Sequence, residues 1–205
     1  MKALSVIWDA GHSGTINGVY KTPGKRSPKW SKGVLYEGVA NRWIVNETIK
    51  MMDFEKLPYY HISPEYHNVP LRTREIRANN IYKKNRGVYG VSMHFNAAGG
   101  TGWEIFTSHG ETLSDYIAHE FIEAYKDLIP LKARLGGNKF LSQDKEANYA
   151  ILKNTDCPFI LIEGGFMDNK KDYEKLWDPE FHTQLATANM IAIRNVNRKY
   201  GRIRN

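Results

Sequence analysis

Four side chains in this sequence are of the types that bind a metal and move a proton, and each falls beside an apolar run or at an element boundary. His12 sits in a glycine-flanked turn, Trp8-Asp9-Ala10-Gly11-His12-Ser13-Gly14. His94 closes the run Gly90-Val91-Ser92-Met93-His94-Phe95, and Glu163 comes straight after Phe159-Ile160-Leu161-Ile162. Glu37 ends a long loop and opens a helical pattern. Two imidazoles and one carboxylate hold a catalytic zinc while leaving a position for water, and a second carboxylate beside them can take that water's proton. On this reading His12, Glu37 and His94 bind one Zn²⁺ per chain and Glu163 is the base. Each residue also has a plainer reading. His12 is then a turn residue, His94 a strand-end histidine, and Glu37 a carboxylate favoured at a helix N-terminus. Glu163 is then an ordinary strand-end residue, although a carboxylate after four large apolar residues is costly unless partnered. Singly the plainer readings win. Jointly they weaken, because all four fall where one site would form. His61 is the rival ligand; His67, His109, His119 and His182 read as structural or exposed.

The elements that would position these residues follow from periodicity. Leu4 to Trp8 reads as a buried strand, and 10 to 35 as a Gly/Pro/Lys-rich loop. Residues 39 to 52 take a helical period. Residues 58 to 62 form a short strand, and a helix starts near Pro70. Val88 to Phe95 alternates, with Tyr89, Val91, Met93 and Phe95 on one face and Ser92, His94 and Asn96 on the other. Gly102 to Thr107 is another strand, and Leu113 to Leu128 an amphipathic helix. Residues 130 to 147 read as a polar connection, Ala150 to Leu152 as a short strand, and Phe159 to Ile162 as a central one. Asp178-Pro179 opens the last helix. Strands alternating with helices predict an α/β three-layer sandwich, a largely parallel or mixed central sheet flanked by helices. In such sheets, sites gather beyond the carboxyl ends of the strands, where His12, His94 and Glu163 would converge.

Composition narrows the classes. The 205 residues suit one domain, with no separate binding module expected. A 41% hydrophobic content supports a proper core. No run is long enough to span a membrane, and no secretory signal is read at the start. The lone Cys157 excludes an internal disulfide framework and a multi-cysteine zinc site; it reads as a buried structural thiol. The net charge of +7 favours a polyanionic partner. The stretch 21–33, KTPGKRSPKWSKG, carries five Lys/Arg and no acid. Gly-x-Ser-x-Gly, His-Glu-x-x-His and a glycine-rich phosphate loop are all missing.

These residues resemble a known family, the type-3 N-acetylmuramoyl-L-alanine amidases, zinc enzymes of bacterial cell-wall turnover and phage lysis. Trp8 to Gly14 is similar to the family's DPGHGG signature, with Ala10 in place of proline, and Tyr36-Glu37-Gly38 to its glutamate ligand segment. Leu71-x-x-Arg74-x-x-x-Ala78-Asn79 resembles its helix motif. Val91 to Ala97 is similar to its SxHxNA strand, Gly102-Trp103-Glu104 to the strand after it, and Ile162 to Asn169 to its catalytic E-x-GF-x-x-N segment. The resemblance implies that His12, Glu37 and His94 bind Zn²⁺ and that Glu163 is catalytic. It further implies hydrolysis of the amide between N-acetylmuramic acid and L-alanine of the peptidoglycan stem peptide. Asn96, together with Lys25, Arg26 and Trp30 of the basic loop, is expected to contact substrate or anionic wall polymer. The expected protein is a monomer that binds no nucleic acid and does not insert into membranes. It is expected to be a phage endolysin-type enzyme, made in the cytoplasm and released to the wall through a holin, with an exported host enzyme as the second choice. Two other functions stay open: a zinc peptidase acting within the stem peptide, and a non-catalytic polyanion or wall-binding domain.

Overall fold

The structure, a computed structural model, describes residues 3–137 and 143–201. In chain order the elements are β1 (Ser5–Ala10), β2 (Thr15–Ile16), β3 (Val19–Tyr20), α1 (Glu37–Phe54), β4 (Tyr59–His61), α2 (Leu71–Lys84) and β5 (Val88–Asn96). They continue with β6 (Glu104–Thr107), α3 (Leu113–Leu128), β7 (Lys145–Glu146), α4 (Ala150–Lys153), β8 (Phe159–Phe166), α5 (Lys170–Leu176) and α6 (Pro179–Tyr200). Six strands form one sheet in the order β4-β1-β5-β8-β6-β7; β2 and β3 make a separate hairpin. β4, β1, β5 and β8 run parallel, and β6 is antiparallel to β8.

Strand alternation sorts side chains into two cores. Val6, Trp8, Tyr89, Val91, Met93, Ile160 and Ile162 face the larger layer and pack with α1, α3 and α6. Ile7, Val88, Phe106, Phe159 and Leu161 face the smaller one, with Ala78 of α2 and Ile151 and Leu152 of α4. This is the expected three-layer α/β sandwich. Helix starts obey local chemistry. Thr112 and Asp115 form a reciprocal capping box at α3, and Asp178 caps α6 ahead of Pro179 at the first turn. Among the described residues no helix is long and apolar enough to cross a membrane.

Three readings of the sequence need correction. Ala150–Leu152 is a helical turn, not a strand: Lys153 N and Asn154 N donate to Tyr149 O and Ala150 O, and the turn buries Ile151 and Leu152. The 10–35 loop contains the β2–β3 hairpin, whose turn uses Asn17 and Gly18 at positive φ. Finally, β8 does not stop at Ile162. It continues through Phe166, so Glu163 lies within the strand.

Candidate metal centre and cavity

The site lies on the smaller-layer face of the sheet, toward the carboxyl ends of β1, β5 and β8. His12 follows β1 in a left-handed conformation, φ +60°, which costs a non-glycine residue about 1–2 kcal/mol. Neighbours hold it there. Its carbonyl accepts from Arg42 Nη2 (3.1 Å) and Arg74 Nη2 (3.0 Å). Asn41 Nδ2 donates to Gly11 O at 3.0 Å. Arg74 is itself buried: Nη1 donates to Asp9 Oδ1 at 2.6 Å, and Ser63 and Ser92 hydroxyls complete the Asp9 carboxylate at 2.8 Å each. Burial would raise the Asp9 carboxyl, but Arg74 above all, with His94 and the two serines, outweighs it and holds Asp9 below the usual range.

His94 occupies the end of β5 on the polar face of its alternation. Its ring lies over Gly11 so closely that a Cβ there would come within 2.2 Å of Cε1. Glu37 begins α1, and close packing sets its place too: a Cβ on Gly38 would meet Ser13 O at 1.9 Å. The three side chains meet. His12 Nε2 is 3.0 Å and His94 Nδ1 2.9 Å from Glu37 Oε1. One candidate ligand atom from each lies within 4.8 Å of the others. Burial opposes ionisation of Glu37, yet its bonds to His12 and His94 win and hold the carboxyl at about 2. Burial pulls the His12 imidazole down, whereas at His94 burial acts in the same direction but is outweighed, mainly by Glu37, and the imidazole is drawn above its usual value.

Glu163 is treated in the opposite way. It pairs in register with His94 across β5 and with Glu104 across β6. Its Oε2 is screened from solvent and has no hydrogen-bond partner among the described residues. Burial pushes its carboxyl up to about 8; Glu37 and Glu104 add to the rise, while His94 and Lys25 oppose it. Glu104 is neutralised from its far side by Arg134 Nε (2.8 Å) and Lys145 Nζ.

A cavity of about 490 Å³ joins these groups, lined by His12, Glu37, His94, Glu163, Asn96 and Lys25 among others. Asn96 Nδ2 donates to Glu104 Oε2 at 2.9 Å and its Oδ1 accepts from Ala97 N. The structure brings Lys25 and Asn96 to the cavity but not Arg26 or Trp30. Arg26 is exposed and bridges by its backbone to Tyr36, and Trp30 packs edge-on against Tyr173, 4.7 Å between ring centroids. His61 ends β4 beside Trp8, outside the three-residue cluster, and burial pulls its imidazole down to about 4. Cys157 is buried, its thiol pushed up to about 12. Sequence reasoning gave no role to Asp9, Arg42 or Glu104. The available signal was Asp9 itself, an acid inside an apolar strand run, which implies a buried partner.

Comparison with known proteins decides the family. The N-acetylmuramoyl-L-alanine amidase family matches residues 6–195. This chain belongs to that family. A curated relative, the N-acetylmuramoyl-L-alanine amidase CwlM of Bacillus licheniformis, is 37% identical over 102 residues. That match covers 48% of this chain and 36% of the relative. An N-acetylmuramoyl-L-alanine amidase from Clostridium difficile 630 superposes with a TM-score of 0.78 at 22% identity, covering 98% of this chain and all of that one. The amidase AmiC2 of Nostoc punctiforme gives a TM-score of 0.72 at 21% identity, covering 96% and 98% of the two chains. These two likenesses establish the amidase fold for the chain.

Proposed function

We propose that this protein hydrolyses peptidoglycan at the amide joining the lactyl group of N-acetylmuramic acid to L-alanine, using zinc held by His12, Glu37 and His94. The observation that carries this reading is the meeting of His12 Nε2, His94 Nδ1 and Glu37 Oε1 in a cavity shared with Glu163, in a chain of the amidase family. The donor set fits the ion: two imidazole nitrogens and one carboxylate oxygen, with no thiolate near. Bound there, Zn²⁺ would supply Lewis acidity, lowering the pKa of a water from about 15.7 toward roughly 7. His12 and His94 must present unprotonated ring nitrogens, so acid weakens binding. Glu163 would take the proton of the attacking water on a carboxylate oxygen and pass it to the leaving amine nitrogen. Beside a divalent cation its carboxyl ionises at lower pH than in the metal-free protein. The walls screen Glu163 Oε2 from solvent, which strengthens its interactions with neighbouring charges.

The test is mass spectrometry of purified peptidoglycan digested with and without chelator. The amidase reading expects new L-alanine amino termini and intact glycan chains. Cuts within the stem peptide would mean a peptidase, and binding without products a wall-binding domain. Elemental analysis should give about one zinc per chain. His94→Ala should lose it and His61→Ala keep it; the reverse exchanges the ligand. We assign the activity to phage lysis, supported by a net charge of +7 that suits an anionic wall. Expression inside a bacterium should then be tolerated until a membrane pore is opened, and clear the culture afterwards.

A further inference from the structure

Two cations line the cavity, and only one of them is spent. Arg74 donates to Asp9 and to the carbonyls of Ala10, His12 and Val69. Lys25 makes no ion pair and no side-chain hydrogen bond among the described residues. Its backbone, by contrast, is fixed. Glu37 N donates to Lys25 O at 3.0 Å, Lys25 N donates to Thr22 O at 3.4 Å, and Arg26 bridges to Tyr36. Gly24, at φ +82°, permits the turn that presents it. The ammonium is therefore carried by the same segment that positions Glu37, and its field reaches both His12 and Glu163. The uncharged lining opposite in character, Leu71, Tyr149 and Ile151, supplies no other cation.

We propose that Lys25 selects substrates with a free carboxylate on the residue after the alanine whose amide is cut. This rests on the amidase reading above. Exposed and unpaired, Lys25 is the one lysine or arginine of the described cavity lining with its charge left over, which suits it to an anionic group of the substrate. Where the residue after that alanine is an acidic one joined onward through its side chain, its α-carboxyl is either free or capped as an amide. One extended residue spans about 3.3–3.6 Å, which puts that group within a side-chain length of the scissile bond. A carboxylate there accepts a charge-assisted bond from Lys25 Nζ; the amide form cannot accept one of equal strength.

The experiment uses two synthetic muramyl peptides, identical but for a free or amidated α-carboxyl at that residue, and compares kcat/KM at low salt. The free acid should be preferred about tenfold, the smaller end of what a bond to a charged group gives. Lys25→Met should collapse the ratio toward one, Lys25→Arg should restore most of it, and added salt should shrink it in the wild type. Lys32, paired with Glu174 and outside the cavity lining, is the control; Lys32→Met should keep the ratio. Equal rates in the wild type would overturn the proposal. So would a ratio that survives Lys25→Met, or one lost equally in Lys32→Met. Failure to cut either peptide would instead overturn the amidase reading.

Discussion

The two halves of the cavity treat the same functional group in opposite ways. At the turn-and-helix corner, Glu37 receives two imidazoles and is held ionised, its carboxyl at about 2. At the strand corner, Glu163 lies between His94 and a second carboxylate, Glu104, with one oxygen unpartnered, and is pushed up to about 8. Burial opposes ionisation of both; the two imidazoles overcome it at Glu37, and nothing overcomes it at Glu163. A carboxylate already ionised and surrounded by nitrogen donors suits a cation; one kept short of partners suits a proton.

The largest effect expected is a clean separation of the two roles on mutation. Glu163→Gln should lower turnover by about 10²–10⁴-fold with zinc content unchanged. Glu37→Gln should lose zinc, with part of the activity recovered in excess Zn²⁺. Metal analysis beside kinetics reads both; Glu163→Gln losing zinc while Glu37→Gln keeps it would invert the comparison. Next is the support beneath the first corner. Arg74→Ala leaves Asp9 buried and unpaired, which should cost about 3–5 kcal/mol by denaturant unfolding. A cost under about 1 kcal/mol would mean the His12 turn does not depend on this pair.

The strand corner has its own signature in pH. The folded value of Glu163 lies above its unfolded value of 4.5, so the fold favours the protonated form. Its contribution to stability is complete below pH 4.5 and lost as pH rises through about 8. In metal-free protein, Glu163→Gln should therefore match the wild type near pH 4 and gain in Tm toward pH 8. A gain that shrinks with rising pH would contradict the assignment. The smallest effect concerns the strap leading into α1. Lys32 and Glu174 are exposed partners 3.1 Å apart, and Lys32→Met should change stability by about 1 kcal/mol or less.

Much of this arrangement was legible in the sequence because strand alternation is a short-range signal. The split of β5 into an apolar face and a Ser92-His94-Asn96 face placed His94 on the polar side of a buried strand. The apolar run at Phe159 located β8, but not its extent: Glu163 and two glycines read as a stop, while pairing with β5 and β6 carries the strand to Phe166. α5 went unread, although Asn169 caps it by accepting from Lys171 N and Asp172 N. Its seven residues are too few for a helical period to emerge. The basic loop misled in another way. Closeness in sequence makes Lys25, Arg26 and Trp30 one patch, whereas Arg26 and Trp30 are engaged in backbone bridges and, of the three, only Lys25 lines the cavity. Such non-local pairings leave no mark in composition.

The strand order also dictates when the centre can exist. β1, made first, pairs with β5 some eighty positions later, and β5 in turn waits for β8. His12 therefore finds His94 only after a long loop closes, and Glu163 joins only when the last quarter of the chain is available. Contacts so distant in sequence form late and slowly. A chain still leaving the ribosome can bring His12, Glu37 and His94 together, yet that cluster lacks Glu163 until β8 docks. Completion of the sheet is thus what brings Glu163 to that cluster, so hydrolysis, unlike occupancy by a metal, would wait for a finished fold.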